Sequence, residues 1–238
     1  MLKGRAAIIG YTGLIGANLL NQYKKKFNKI DLFNSKNINK VGKKKYDVVF
    51  CAALPATKWL VNKAPLKDKR NTQKLIRNIR KIKTKKFLLI STIDVNYKHP
   101  YGYNRKILEK FVIKNFKNSY ILRLPGVFGN GLKKNIIYDL LNKNEIDKIY
   151  LNDKFQWYDL AYLCKDISKI FKNDQLGVNE LYSLPIKNKD ILNLFKNIQI
   201  KKKRFKPINY SIKPKNGFYK NKKFILNRIK KFIKSYEK

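Results

Sequence analysis

Hydrophobic and polar positions alternate in blocks along the first half of the chain. Short apolar runs at 6–10 and 87–90 predict buried strands, while apolar residues spaced three or four apart predict amphipathic helices between strands. This repeated strand–helix order predicts an α/β fold with a doubly wound parallel sheet. The other predicted strands are 29–33, 47–53 and 119–124, and the predicted helices are 14–25, 68–82 and 101–116.

The two longer of these helices carry clear apolar faces. The residues expected to point inward are Leu75, Ile76, Ile79 and Ile82 in the first, and Ile107, Leu108, Phe111 and Val112 in the second. The alternation weakens after Gly131, which predicts a division into a domain at 1–130 and a small C-terminal part at 131–238, interleaved with the first in space.

The C-terminal part is predicted to contain four helices and an irregular stretch at 201–220. The helices are 135–141, 159–171, 189–198, which Asn188 is placed to cap, and 222–236. The last helix has an apolar stripe of Ile225, Ile229, Phe232 and Ile233. A basic membrane-surface helix is one interpretation of this stripe, but packing onto its own domain is the more common use and is the one predicted here.

Composition limits the class of protein. The chain has 238 residues, 44% of them hydrophobic, which excludes a disordered basic tail. No apolar run is long enough to span a bilayer, so a cytoplasmic protein is expected. Cys51 and Cys164 lie in apolar surroundings and are predicted to be buried free thiols of a reducing compartment, not a disulfide or a metal site.

The net charge of +41 raises the alternative of a nucleic-acid or anionic membrane partner. All but eight of the 56 basic residues are Lys, and they spread over the whole length. Lys, Asn and Ile are all abundant, as AT-rich codons would produce. We therefore expect no specific nucleic-acid partner and no membrane span, only weak, salt-dependent attraction to polyanions.

A glycine-rich turn follows the first predicted strand and opens the first predicted helix. Its spacing is G-x-x-G-x-x-G, through Gly10, Gly13 and Gly16. Residues without side chains let the backbone approach a pyrophosphate, and a helix start offers free amides and a positive dipole end. The segment predicted to hold a dinucleotide phosphate is Gly10, Tyr11, Thr12, Gly13, Leu14, Ile15 and Gly16.

A second motif begins at the carboxyl end of the central strand, where open α/β sheets place their chemistry. Ser91-Thr92 is followed ten residues later by Tyr101-Gly102-Tyr103-Asn104-Arg105 and then Glu109, and further on by Arg123-Leu124-Pro125-Gly126-Val127-Phe128-Gly129. With the glycine turn, these motifs resemble the extended short-chain dehydrogenase/reductase superfamily. Within it they resemble the NAD(P)-dependent epimerase/dehydratase family, in particular its dTDP-4-dehydrorhamnose reductase-like members.

The resemblance implies a Rossmann domain with NAD or NADP as cofactor and assigns roles to residues of this chain. Tyr101 would be the general acid/base, and Thr92, with Ser91 as the less favoured candidate, would polarise the reacting oxygen. Arg105 would bias the Tyr101 phenol and contact the nicotinamide ribose. The remaining residues implied in cofactor binding are Asn34, Ser35, Lys36, Cys51, Ala52, Ala53, Ser91, Leu124, Pro125 and Val127.

Three departures from the family pattern shape these expectations. Arg105 stands where the family has Lys, and Arg keeps the charge but cannot give up a proton. No acid follows the second strand, where one would select NAD, so NADP is slightly favoured. Thr92-Ile93-Asp94 lacks one acid of the dehydratase pattern Thr-Asp-Glu, so reduction, oxidation or epimerisation is expected before dehydration.

The resemblance also places a nucleotide-sugar substrate. The residues implied are Lys58, Thr92, Lys133, Lys134, Asn135, Gln156 and Trp157. The two adjacent lysines are equally well explained as solvated, and Trp157 as core. His99 is predicted to be a loop residue.

Together these features predict an NAD(P)-dependent oxidoreductase or epimerase of a nucleotide-linked sugar, in cell-surface polysaccharide biosynthesis. The alternative is a catalytically inactive NAD(P)-binding sensor or scaffold, which Arg105 favours. Whether the chain forms a homodimer stays open.

Overall fold

The computed structural model describes residues 4–196 and 198–236, and all structural statements below concern these residues. The strands are β1 (Arg5–Ile9), β2 (Lys29–Phe33), β3 (Lys45–Cys51), β4 (Lys83–Thr92), β5 (Ser119–Leu124), β6 (Gly126–Phe128), β7 (Lys154–Phe155), β8 (Trp157–Asp159), β9 (Gly177–Glu180), β10 (Ile186–Lys187) and β11 (Asn209–Tyr210). The α-helices are α1 (Leu14–Tyr23), α2 (Lys58–Lys63), α3 (Pro65–Ile79), α4 (Pro100–Asn115), α5 (Ile136–Asn142), α6 (Leu163–Lys172), α7 (Asn188–Leu192) and α8 (Lys222–Tyr236).

Two compact units divide these elements. The first is formed by residues 1–123 and 162–179, and the second by 124–161 and 180–238. The chain therefore leaves the first unit after β5 and returns to it with α6 and β9. Residues 162–179 thus group with the first unit, whereas the division drawn from the sequence placed them in the C-terminal part.

The first unit is built on a sheet with the order β2-β1-β3-β4-β5-β9 in the part of the chain that the structure describes. β1 pairs in parallel with both β2 and β3, and β3 pairs in parallel with β4. The order reverses direction between β1 and β3, which makes a topological switch point at the carboxyl ends of these strands. The predicted α/β doubly wound class is confirmed.

Helices cover both faces of this sheet. On one face, Val49 and Leu89 pack with Leu75 and Ile79 of α3. Strand residues alternate in direction, so Phe50 points to the other face, where its ring centroid lies 4.7 Å from that of Tyr23. The sheet is therefore buried on both sides, as the continuous apolar strands predict.

Some local predictions need correction. Ile107 of α4 is exposed, not inward, while Leu108 and Val112 of the same helix are buried as predicted. α7 is only five residues long, and Lys187 occupies its N-cap position without a side-chain cap bond. Asn188, the predicted cap, is the first residue of the helix and donates to Tyr150 O at 2.8 Å. The predicted continuation of this helix reaches Asn197, which lies outside the described residues.

The second unit contains two small sheets, in the order β10-β7-β11 and β6-β8, within the described ranges. Helix α8 buries Ile225, Ile229 and Ile233, and the Phe232 ring lies 5.9 Å from that of Phe128. The apolar stripe therefore packs onto its own unit, as predicted. Among residues 4–196 and 198–236, no helix has the length and apolarity that a membrane crossing requires.

Candidate active site

The glycine turn between β1 and α1 contains glycines of two kinds. Gly10 has φ +85°, and a Cβ there would lie 2.5 Å from the carbonyl oxygen of Ala52. A Cβ on Gly16 would overlap the carbonyl group of Gly10. Close packing of the turn therefore accounts for both of these glycines.

Gly13 differs, because nothing in the described chain requires it to lack a side chain. Its φ is −81°, which any residue adopts, and the nearest heavy atom to an added Cβ would be Gly10 O at 3.5 Å. Gly13 is also the N-cap of α1 and supplies no side-chain cap. Its own N–H donates to Gly10 O at 3.0 Å, so the groups offered to an anion are the first-turn amides of α1, which have no acceptor within the helix. Thr12 and Gly13 are exposed, and this helix start therefore forms an amide cradle suited to an anion.

The loop after β2 lies beside this turn. The side-chain amide of Asn34 donates to the Tyr11 hydroxyl at 3.4 Å, and Ser35 and Lys36 are exposed. Asp31, the acid nearest in sequence, is bound to Arg5 at 2.6 Å. This edge of the turn therefore presents neutral and basic groups, as predicted.

A strained segment follows β3. Cys51 is fully buried, and Ala52 N donates to Ile9 O at 2.9 Å, which fixes the segment against β1. The next residues are Ala53 and then Leu54, whose φ of +85° is in the left-handed region. Such a conformation costs about 1–3 kcal/mol in a non-glycine residue and is concentrated at functional sites. No motif in the sequence indicates this backbone conformation.

The Asp94 carboxylate contacts several polar groups near Thr92. The Thr92 hydroxyl donates to Asp94 Oδ2 at 2.8 Å, while Asp94 Oδ1 lies 2.8 Å from Lys58 Nζ and 3.0 Å from His99 Nε2. Two residues predicted separately, Thr92 and Lys58, therefore meet at one carboxylate. His99 lies in the loop before α4, as predicted, and there it faces Asp94, while its Nδ1 accepts from Gly102 N at 3.1 Å as the cap of α4.

Gly102 explains how Tyr101 is placed next to this cluster. A Cβ on Gly102 would overlap the carbonyl oxygen of Asp94 and lie 3.0 Å from Tyr97 O. Only glycine lets the start of α4 approach the 93–96 turn so closely. Tyr101 N also donates to Asn62 Oδ1 at 3.1 Å, so α2 holds the same point from the other side.

Tyr101 is nearly buried, with 8% of its surface exposed. Burial raises the pKa of its phenol above the ordinary value, and the nearby Arg105 guanidinium opposes that shift without reversing it. The guanidinium carbon lies 4.4 Å from the centroid of the Tyr101 ring. Tyr101 and Arg105 therefore share a helical face as predicted, and burial outweighs the guanidinium in setting the direction of the shift in the Tyr101 pKa.

Ser91 serves a different purpose from Thr92. Its hydroxyl donates to Glu109 Oε1, and Glu109 is also bound by Arg123 through Nε at 3.0 Å and Nη2 at 2.7 Å. This buried network joins β4, α4 and β5. Ser91, Glu109 and Arg123 of the two sequence motifs therefore tie the scaffold together, which supports Thr92 as the reactive hydroxyl.

The predicted residues of the second unit have varied surroundings. Gln156 is buried and bonded to the backbone of Ser183 and Ile212, and Asn135 caps α5 by accepting from Ile137 N and Tyr138 N. These contacts count against substrate roles for both. Trp157 is buried, whereas Lys133 and Lys134 are exposed, and partial desolvation lowers the pKa of Lys134. The predicted cofactor residues Leu124, Pro125 and Val127 also belong to this unit.

Comparisons with known proteins agree with this fold. No protein-family description matches the chain, and no curated protein matches it either. Among solved structures, a dTDP-4-dehydrorhamnose reductase from Clostridium acetobutylicum is similar, with a TM-score of 0.73, 15% identity and coverage of 98% of this chain and 100% of the other.

Two further structures are similar over nearly the whole chain. One is a UDP-N-acetylglucosamine 4-epimerase from Methanobrevibacter ruminantium in complex with UDP-N-acetylmuramic acid, with a TM-score of 0.77, 16% identity and 99% coverage of both chains. The other is a dTDP-4-dehydrorhamnose reductase from Bacillus anthracis in complex with NADP, with a TM-score of 0.71, 15% identity and coverage of 99% and 98%. At these identities the likeness shows that the chain has the fold of sugar-nucleotide reductases and epimerases.

Proposed function

We propose that this protein is an NAD(P)-dependent oxidoreductase or epimerase that acts on a nucleotide-linked sugar. The observation that carries the proposal is the pair of sites at the carboxyl ends of β1 and β4. The amide cradle beside Gly13 follows β1, and Thr92 ends β4 and lies close to Tyr101 of α4. The similar structures include a reductase with NADP and an epimerase with a UDP-sugar, which supports the same assignment here.

The residues present fit a nicotinamide coenzyme. Gly13 and the first-turn amides of α1 would hold its pyrophosphate, and Asn34, Ser35 and Lys36 would surround the adenosine ribose. Since that loop carries no acid, a 2′-phosphate is tolerated and NADP is slightly favoured over NAD. When bound, the coenzyme supplies or accepts a hydride at its nicotinamide ring.

Tyr101 moves the proton on the reacting sugar oxygen, and Thr92 polarises that oxygen. The single hydroxyl proton of Thr92 is given to Asp94 in this structure. A substrate oxygen would take the place of Asp94 as acceptor. Asp94 would keep its contacts with Lys58 and His99, so its charge would stay compensated.

A deuterium-transfer experiment tests this proposal. The protein is incubated with NADPH or NADH deuterated at C4 and with 4-keto sugars linked to dTDP or UDP, and mass spectrometry follows the sugar. We expect deuterium in the product with wild-type protein and at least about 10²-fold less with Tyr101→Phe. If the coenzyme raises the melting temperature of the protein but no sugar gains deuterium, the result would favour the inactive sensor or scaffold instead. A cytoplasmic location and a role in cell-surface polysaccharide synthesis remain parts of the proposal.

A further inference from the structure

Asp68 belongs to none of the motifs that the sequence analysis identified, yet it is one of the most buried charged residues described, with 3% exposed. It lies in the first turn of α3. Its Oδ2 accepts from Arg105 Nη1 at 2.9 Å and from Asn104 Nδ2 at 2.8 Å, and its Oδ1 accepts from Arg105 Nη2 at 3.3 Å. The carboxylate therefore accepts from both terminal nitrogens of the guanidinium, a bidentate arrangement that fixes an Arg side chain strongly.

Arg105 is held on two further sides. Its Nη2 donates to Pro55 O at 2.7 Å, next to the strained Leu54, and its guanidinium carbon lies 4.4 Å from the centroid of the Tyr101 ring. With only 6% of Arg105 exposed, the guanidinium has little freedom to turn toward another partner. A Lys at this position would have a single compact ammonium group and could not donate in parallel from two nitrogens, so this contact with Asp68 is specific to Arg.

We propose that Asp68 is a positioning residue that clamps Arg105 against Tyr101 and offsets the charge of the guanidinium, which limits how far Arg105 favours the phenolate form of Tyr101. This inference rests on the proposed function for its chemistry, but the clamp itself stands on the contacts above.

Charge arithmetic supports the inference. A free guanidinium beside a phenol favours the phenolate, and a carboxylate bound to that guanidinium removes most of the effect. The charged groups that face Tyr101 are Arg105 on its own helix, Asp68 on α3 and Asp94 on the 93–96 turn, and Asp94 is itself paired with Lys58 of α2 at 2.8 Å. The His99 ring, with its centroid 6.2 Å from that of Tyr101, is a further titratable neighbour. Burial is the main cause of the raised pKa of Tyr101; Arg105 lowers that pKa, and Asp94 and Asp68 raise it.

A protonated phenol is the form that reduction needs. In that direction a bound reduced coenzyme would supply a hydride to the carbonyl carbon, and Tyr101 would donate its proton to the carbonyl oxygen. The C=O would become CH–OH, the coenzyme would be left oxidised, and the phenolate would recover a proton from water. Alcohol oxidation, which is also the first half of epimerisation through a ketone, is the reverse of this step and needs the phenolate at its start, so the ionisation of Tyr101 sets the pH dependence of both directions.

The test measures the ionisation of Tyr101 without coenzyme or sugar. The protein is labelled with ¹³Cζ-tyrosine, its Tyr101 resonance is assigned by its loss in Tyr101→Phe, and the NMR shift is followed with pH. Asp68→Asn removes the charge and keeps an acceptor for Arg105. We expect the Tyr101 midpoint to fall by about one pH unit or more in this variant. Asp31→Asn, which removes the same charge from the ion pair with Arg5, is the matched control and should leave the midpoint unchanged.

An unchanged or higher midpoint in Asp68→Asn would overturn the inference. Wild-type protein keeps the test decisive if that variant does not fold, since its midpoint should lie above about 10, the value of a free phenol. A wild-type midpoint below that value would also overturn it. Once a sugar substrate is identified, the limb of the pH–rate profile that reports Tyr101 should move in Asp68→Asn by the same amount as the NMR midpoint. A midpoint that moves as expected in a protein that reduces no keto sugar would refute the proposed function and leave the clamp intact.

Discussion

Substituting alanine for glycine one position at a time should separate the packing role of the glycine turn from its ligand role. A Cβ on Gly16 would lie 2.6 Å from the carbonyl carbon of Gly10 and 2.8 Å from Tyr11 Cα. Ordinary contacts begin at 3.4 Å. The Cβ would also overlap Gly10 O, so the backbone of the turn must move by more than roughly 0.8 Å, and overpacking of this kind costs about 1–3 kcal/mol. We expect Gly16→Ala to lower the free energy of unfolding by that amount.

Gly13→Ala should behave differently. Its Cβ meets no atom closer than 3.5 Å and its φ is ordinary, so the cost is confined to the weaker N-cap, about 1 kcal/mol or less. The new methyl group would nevertheless stand in the amide cradle. We expect NADPH affinity to fall at least about tenfold while the unfolding transition hardly moves.

Urea unfolding followed by circular dichroism measures the first quantity, and NADPH fluorescence titration measures the second. Gly13→Ala that binds NADPH as tightly as the wild type would refute the assignment of the pyrophosphate to this turn. If Gly13→Ala lowers the free energy of unfolding as much as Gly16→Ala does, the division of the glycines into two kinds is refuted.

Three further predictions follow from the structure. Glu109→Ala removes the buried carboxylate that binds the Arg123 guanidinium and should cost about 3–5 kcal/mol in urea unfolding; a loss below about 1 kcal/mol would contradict this. Burial raises the pKa of the Cys51 thiol to about 12, so a thiol reagent at pH 8 should label Cys51 only once urea unfolds the chain. Binding of duplex DNA, measured by anisotropy, should be weak and vanish as salt rises; sequence-selective binding that persists would disprove the compositional explanation of the charge.

The sequence predicted the frame of the site well because local rules govern it. The limits of β2 and β5 agree with the predicted strands residue for residue, and α1 begins where the glycine turn implies. Apolar runs and glycine spacing are sufficient for such elements. The short helix α2 was missed because it has six residues, of which only Val61 is buried, so it shows no periodicity.

Local sequence rules could not predict the long-range contacts that define the chemistry of the site. Asp68 and Arg105 are 37 residues apart, and Asp94 meets Lys58 across another gap of similar length. Nothing in the local pattern says which acid will face which base, since the sheet brings them together. Gln156 and Asn135 show the reverse case, because polar residues that suited a substrate satisfy backbone groups instead.

A crystal structure of the protein with NADPH would locate both the coenzyme and the Tyr101 hydroxyl. We expect the coenzyme pyrophosphate on the first-turn amides of α1, beside Gly13, and the Tyr101 hydroxyl facing the nicotinamide ring. A coenzyme bound elsewhere, or a Tyr101 hydroxyl that points away from the nicotinamide, would contradict this expectation.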